Sequence, residues 1–241
     1  MMKANPITRI EALRCLDSEL HPYLIESPSG VVGLASPFIN TPILTDVQCR
    51  GLGGCRSLNE SNRLMREIAE EKKRSRDYSG YIGTHSRLYR LQAFNGITYD
   101  LSDREYWTLL REIWTDAETI WRENAAWLEV LRGREHPEWF MTAEDRKVLS
   151  KLPETFTIYR GYVRGQNPDG FSWTLNREIA KSLANNGKGA TLFDLDLPTR
   201  GERAVRQKKV VKSKVFAFTD ARSEREIILL WDAARRKYVG E

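Results

Sequence analysis

The chain changes character at Pro153. Among the segments before it, Ser57-x-x-Glu60, Ser102-x-x-Glu105 and Thr142-x-x-Asp145 share one form. In such a box a hydroxyl and a carboxylate satisfy backbone N–H groups that a helix start leaves unbonded. After Pro153, short runs rich in β-branched and aromatic residues predict strands at 155–162, 171–175, 189–197, 204–211, 214–219 and 226–231. One helix interrupts them, opening at Asn176, running through Ile179, Ala180 and Leu183, and stopping at Asn186-Gly187. Helices first and strands second predict an α+β fold, with an N-terminal helical region followed by a mostly antiparallel sheet.

Within the first part, Pro6, Pro22, Pro28, Pro37 and Pro42 predict extended or irregular structure over 1–45. Leu58, Leu64, Met65 and Ile68 form one face of a helix after Ser57. Residues 78–100 are aromatic and interrupted by glycine, which predicts turns or short strands. The box at Ser102 opens the strongest helical stretch. Trp107, Leu110, Trp114, Ala117, Trp121 and Ala125 recur at helical spacing, extended by Trp127, Leu128 and Leu131 to Gly133. Such a tryptophan stripe can be a stacking platform, but one face of a helix must be buried, and core packing is the expectation. The domain reading is therefore 1–95 without an assigned role and 96–241 with a helical brace (102–152) and a β core (153–232).

Lys and Arg total 38 against 33 Asp and Glu, a net charge of +5, and 41% of residues are hydrophobic. That supports a packed core and excludes a wholly disordered chain. No apolar run approaches the roughly 20 residues of a membrane helix. Charges at Arg9, Glu11, Arg14 and Asp17 interrupt any leader-like segment, so a cytoplasmic protein is expected. The cysteines are Cys15, Cys49 and Cys55, an odd number, and reduced thiols are expected. A structural zinc site needs four ligands; with His21, His85 and His136 scattered, no metal is expected.

Three short motifs carry the chemistry. In Phe156-Thr-Ile158-Tyr-Arg160-Gly161, alternation puts Arg160 on the face of Phe156 and Ile158. A guanidinium there must be paired or face a cleft, and its planar fork suits phosphate or carboxylate; the alternative is a strand-end arginine reaching water. In Ser172-Trp173-Thr174 two hydroxyls share a face, able to hold a carboxylate or a ribose, although Thr and Trp also simply favour sheets. Finally, Glu224 and Glu226 precede the apolar run 227–230. Two carboxylates on one face repel unless a function or a cation holds them.

The order YRG, SWT, ExE across about seventy residues resembles the ADP-ribosyltransferase superfamily, and its Arg-Ser-Glu branch of arginine-specific bacterial toxins and phage-encoded transferases. The resemblance covers roughly residues 153–231. It implies a split β core with NAD in its cleft, as substrate and without a metal. It implies that Arg160 contacts the NAD phosphate or ribose, and that the Gly161 backbone holds the nicotinamide amide. Ser172 would orient the catalytic Glu226, with Thr174 supporting the strand. Glu224 would orient or deprotonate an acceptor arginine on an unidentified protein, and the loop 220–223 would recognise that acceptor. Ser-Trp-Thr departs from the commoner Ser-Thr-Ser. Tyr162, Phe171 and Phe193 are the candidates to stack on nicotinamide. Hydrolysis of NAD is a sub-variant of the same chemistry. The competing reading is a binding module without turnover, contacting nucleic acid or a protein through 200–214. That stretch, from Arg200 to Lys214, has seven basic residues and one acidic residue.

Overall fold

The computed structural model describes residues 4–52, 56–117, 120, 124–164, 168–185, 202–232 and 237–238; from residue 231 on, only the backbone is described. The fold is α+β with antiparallel sheets, and the chain divides into two compact units, one ending at Gly96 and the other starting at Ile97.

The first unit opens with helix α1 (Arg9–Cys15), started by a Thr8–Glu11 capping box that the proline-based reading of 1–45 passes over. Strands β1 (Leu24–Glu26), β2 (Val32–Ala35) and β3 (Asn40–Thr41) then form an antiparallel sheet in that order. Helices α2 (Asp46–Arg50) and α3 (Leu58–Arg74) follow, the latter capped by Ser57 and Glu60 as its sequence predicts. Residues 78–100 are helical rather than strands: α4 (Tyr78–Thr84) and α5 (Arg90–Asn95). Asp77 caps α4 through the Gly80 N–H (2.9 Å), and burial of Tyr78, Ile82, Leu91 and Phe94 outweighs the low helix propensity of the glycines.

A core of Leu16, Leu20, Val32, Leu34, Leu44 and Cys49 fills this unit. Cys15 and Cys49 are joined as a disulfide, which corrects the expectation of reduced thiols. Cys55 lies outside the described residues. The bridge closes a loop with a sequence separation of 34, for which chain entropy predicts about 2–4 kcal/mol. Reduction should therefore lower the melting temperature by several degrees in a scan with and without dithiothreitol; an unchanged transition would show that the bridge contributes nothing.

The second unit begins with α6 (Asp103–Asp116), capped by Ser102 and Glu105. The sequence pattern runs on to Gly133, but the helix ends at Asp116 with Ala117 extended, and α7 (Asn124–Val130) starts anew. Thr115 turns its hydroxyl back onto the Arg111 carbonyl (2.9 Å) just before the break, a contact that competes with helix continuation. Trp121 lies outside the described residues. Trp107, Trp114 and Trp127 are buried, and Trp114 meets Trp127 edge-on at 5.2 Å. Core packing is thus the main task of the stripe. Helix α8 (Ala143–Lys151) carries the third box, Thr142–Asp145.

The main sheet has strands β4 (Thr155–Val163), β5 (Ser172–Thr174), β6 (Arg203–Val211), β7 (Ala217–Thr219) and β8 (Glu226–Ile228), in the order β6-β4-β5-β8-β7. Helix α9 (Arg177–Asn185) follows β5, capped by Asn176, whose side chain accepts from the Glu178 N–H at 2.8 Å. The predicted strand at 189–197 lies outside the described residues. Strand β7 is shorter than predicted because Lys212–Lys214 form a 3-10 turn. Past β8 the chain makes a two-stranded ladder, β9 (Trp231–Asp232) with β10 (Lys237–Tyr238). On one face of the main sheet Ile158, Trp173, Phe218, Ile227 and Leu229 pack with Val148 and Leu149 of α8 and with Leu152 just after it. The opposite face carries Ser172, Thr174, Thr219 and Glu226, because residues alternate and these are cross-strand partners or lie two apart. No helix among the described residues is long and apolar enough to cross a membrane.

Candidate active site

The three sequence motifs fall on three strands that are consecutive in the sheet, β4, β5 and β8. Thr174 stands opposite Glu226, and Ser172 opposite Ile228. Glu226 is the first residue of β8, flanked by β5 and β7, and is 3% exposed. Its Oε2 accepts a hydrogen bond from Trp114 Nε1 at 3.2 Å. Its Oε1 is buried and makes no hydrogen bond of good geometry among the described residues. Burial pushes the Glu226 carboxyl up from its ordinary range. The nearby Ser172 hydroxyl, the Arg222 guanidinium and the Trp114 N–H pull the other way, and Glu224 adds to the rise.

The loop between β7 and β8 brings in the second carboxylate. Asp220 shapes it, accepting the Ser223 N–H on its carbonyl and the Arg225 N–H on its carboxylate, both at 2.9 Å. Ser223 and Arg225 take left-handed φ values of 56° and 47°, which cost energy for residues with a side chain and persist only where neighbours enforce them. Thr174 is one enforcer: its hydroxyl donates to the Glu224 carbonyl at 2.6 Å, and it accepts from the Asn176 N–H at 3.0 Å. Thr174 is thus buried and committed to the loop and to the start of α9. Glu224 in turn pairs through Oε2 with Arg222 Nη2 at 3.2 Å, and the same nitrogen lies 3.9 Å from Glu226 Oε2. A cation does hold the two carboxylates together, and it belongs to the chain itself.

Arg160 keeps to the face of Phe156 and Ile158, as alternation requires, so its side chain starts on the opposite face from Glu226. Its guanidinium turns to the edge of β5, where Nη1 donates to the Ser172 carbonyl and the head lies against Gly170. It meets the backbone of Ser172 rather than its hydroxyl. The bonds Arg164 N–H to Glu202 and Lys212 N–H to Glu154 fix which β4 residues turn their backbone toward β6, namely the even-numbered ones. Tyr159 and Gly161 therefore face β5. That ladder holds a single pair, Tyr159 with Thr174. At the next position the Ser172 carbonyl takes Arg160 instead, and the Gly161 backbone faces an unzipped edge. On its other side Gly161 lies flat under α9: a Cβ there would stand 2.7 Å from Ala184 N and closer still to the Ala180 carbonyl.

Of the aromatic candidates, Phe171 is buried against Trp114 at 6.4 Å and is spent in the core. Tyr162 is half-buried on β4, and Phe193 lies outside the described residues. Motif reading missed Trp114, Arg111 and Arg222. Trp114 was visible only as a core residue. Arg111 binds Asp145 (3.1 Å) and Thr219 (3.4 Å), the cross-strand neighbour of Glu226. Its only sequence signal is a charge on the helix that carries the tryptophans. A cavity of about 370 Å³, lined by Arg104, Arg111, Trp139 and Arg146 among others, includes none of Arg160, Ser172, Glu224 or Glu226. Among the described residues no cluster of three or more His, Cys, Asp or Glu side chains is placed to hold a metal ion.

No protein-family model, curated protein or solved structure matches the chain.

Proposed function

We propose that the second unit has a core of the ADP-ribosyltransferase type and is a mono-ADP-ribosyltransferase that cleaves NAD at the nicotinamide–ribose bond and transfers ADP-ribose to protein arginine. The observation that carries this reading is the Glu226 carboxylate: buried, oriented by Trp114, beside the Ser172 hydroxyl, with no hydrogen bond of good geometry to Oε1 among the described residues. A buried acceptor without a well-made bond calls for an explanation, and a ribose hydroxyl would supply such a donor. Cleavage of the nicotinamide–ribose bond builds positive charge on the ribose, as in glycoside hydrolysis. A fixed carboxylate in a dry site stabilises that charge as it forms.

Glu224 suits the second task. It already binds a guanidinium nitrogen at 3.2 Å, so it can draw in an acceptor arginine and take its proton. The unzipped edge at Gly161 offers backbone polar groups to an amide, and Arg160 stands beside it. NAD here is a substrate.

The alternative, a basic module for nucleic acid, is less well supported. In the stretch 200–214, Arg203 donates to the Ala184 carbonyl, Arg206 pairs with Asp169, and Lys212 donates to Ser150 and Leu152. These cations are turned to the protein's own acceptors.

The test uses NAD with agmatine, a small guanidine acceptor. Wild type should release nicotinamide and label agmatine. Glu224→Ala should lose about two orders of magnitude in transfer, the range for a removed general base, while nicotinamide release to water persists. Agmatine labelling undiminished in Glu224→Ala would remove the role given to that carboxylate.

A further inference from the structure

Arg222 occupies the place that the proposed function gives to the acceptor. Its Nη2 is 3.2 Å from Glu224 Oε2 and 3.9 Å from Glu226 Oε2, so one guanidinium nitrogen lies within reach of both carboxylates. The side chain is 29% exposed, the most exposed of the three, against 15% for Glu224 and 4% for Glu226. The backbone that delivers it is not slack. Asp220 fixes the turn through two backbone N–H groups, the Ala221 N–H donates to Thr219, and left-handed Ser223 and Arg225 bracket Glu224.

An ion pair this close, on a loop held this way, serves two ends. It relieves repulsion between the two glutamates, and it keeps a guanidinium where a nucleophile must stand for reaction, the arrangement that makes intramolecular reactions fast. We propose that Arg222 is a resident acceptor: it competes with incoming arginine and is itself ADP-ribosylated in cis. The proposal rests on the transferase reading above. The step balances with NAD as the only co-reactant. The nicotinamide–C1′ bond breaks and its electron pair leaves with nicotinamide. The Arg222 Nη2 lone pair forms the new C1′–N bond, and the proton that Nη2 gives up passes to Glu224 and then to solvent. Once modified, Arg222 can no longer fill the space between the carboxylates unburdened, so the site changes after its first turnover.

The experiment incubates the full-length protein with NAD, with and without agmatine, and follows peptides by mass spectrometry. The expected result is one ADP-ribosyl group on the peptide carrying Arg222, formed at a rate independent of protein concentration. That label should vanish in Arg222→Lys and in Arg222→Ala, and the agmatine KM should fall several-fold in Arg222→Ala as the competitor is removed. If wild type labels agmatine while the Arg222 peptide stays unmodified, the resident-acceptor proposal is overturned and the transferase reading stands. If wild type neither labels agmatine nor releases nicotinamide, the transferase reading fails and takes this proposal with it.

Discussion

Replacing Glu226 with Gln should cut nicotinamide release from NAD by about two to three orders of magnitude, the loss typical when one preorganised electrostatic group is removed. The same change should make the protein more stable at neutral pH. Glu226 is buried, its Oε1 makes no hydrogen bond of good geometry among the described residues, and burial raises its carboxyl above the ordinary range. Between the unfolded value and the raised folded value, the folded state keeps a proton that the unfolded state has lost, so stability falls as pH rises through that window. Below it both states are protonated, and Glu and Gln should be nearly equal. Above it the wild type carries a buried charge that Gln lacks. An unsatisfied buried group costs about 1–3 kcal/mol, and in a protein of this size each kcal/mol moves the melting temperature by about 2–4 °C. Melting curves of both proteins at pH 4 and pH 7.5 should therefore converge at the acid end and separate at the other, with the variant higher. Equal melting temperatures at pH 7.5 would contradict a strained, buried carboxylate, whatever the activity shows.

The largest structural effect should come from Gly161→Ala. The position needs glycine for space rather than for backbone freedom. A single methyl would meet the backbone of α9 at Ala180 and Ala184, and backbone atoms in a packed helix cannot rotate away as a side chain can. Overpacking of this kind costs about 3 kcal/mol when the neighbour cannot give. Urea unfolding should show the loss, and any NAD binding should weaken with it, since α9 must lift from β4. Gly83→Ala is the control. Gly83 lies within α4 with nothing within 4 Å of an added Cβ, and alanine there should stabilise by roughly 0.5–1 kcal/mol through helix propensity. A Gly161→Ala protein as stable as Gly83→Ala would show that α9 does not pack on β4 as described.

Much of the fold was legible because it rests on local chemistry. The boxes at Ser57, Ser102 and Thr142 each start a helix where the hydroxyl–carboxylate pair requires one. The period of two in 156–161 puts Ile158 inward and Tyr159 on the opposite face, as alternation demands. What failed depended on neighbours far away in sequence. Glycines at 80 and 83 hid helix α4, which exists because Tyr78 and Ile82 are buried by other parts of the first unit. The tryptophan stripe suggested one helix, yet periodicity alone does not reveal the break at Ala117. The disulfide was missed because spacing of 34 residues says nothing of Cα positions, which lie 6.1 Å apart.

At the site the same division holds. Alternation placed Ser172 and Thr174 on one face of their strand and Trp173 on the other, and spacing paired Glu224 with Glu226; that Glu226 shares the face of Ser172 and Thr174 follows from the β5–β8 register. No pattern in the sequence could tell that Thr174 would grip the Glu224 carbonyl, that Arg160 would bind the Ser172 backbone, or that Trp114, 112 residues away, would donate to Glu226. The loop 220–223, which the resemblance gives to acceptor recognition, is pinned by Asp220 and supplies the cation between the two acids.

The most direct test of the central claim is a crystal structure of Glu226→Gln with NAD bound, since the inactive variant should trap the intact dinucleotide. The account predicts the nicotinamide amide on the Gly161 backbone, a ribose hydroxyl against residue 226 and Ser172, and a phosphate within reach of Arg160. A dinucleotide seated elsewhere on the protein, or no binding at millimolar NAD while the fold is intact, would contradict it.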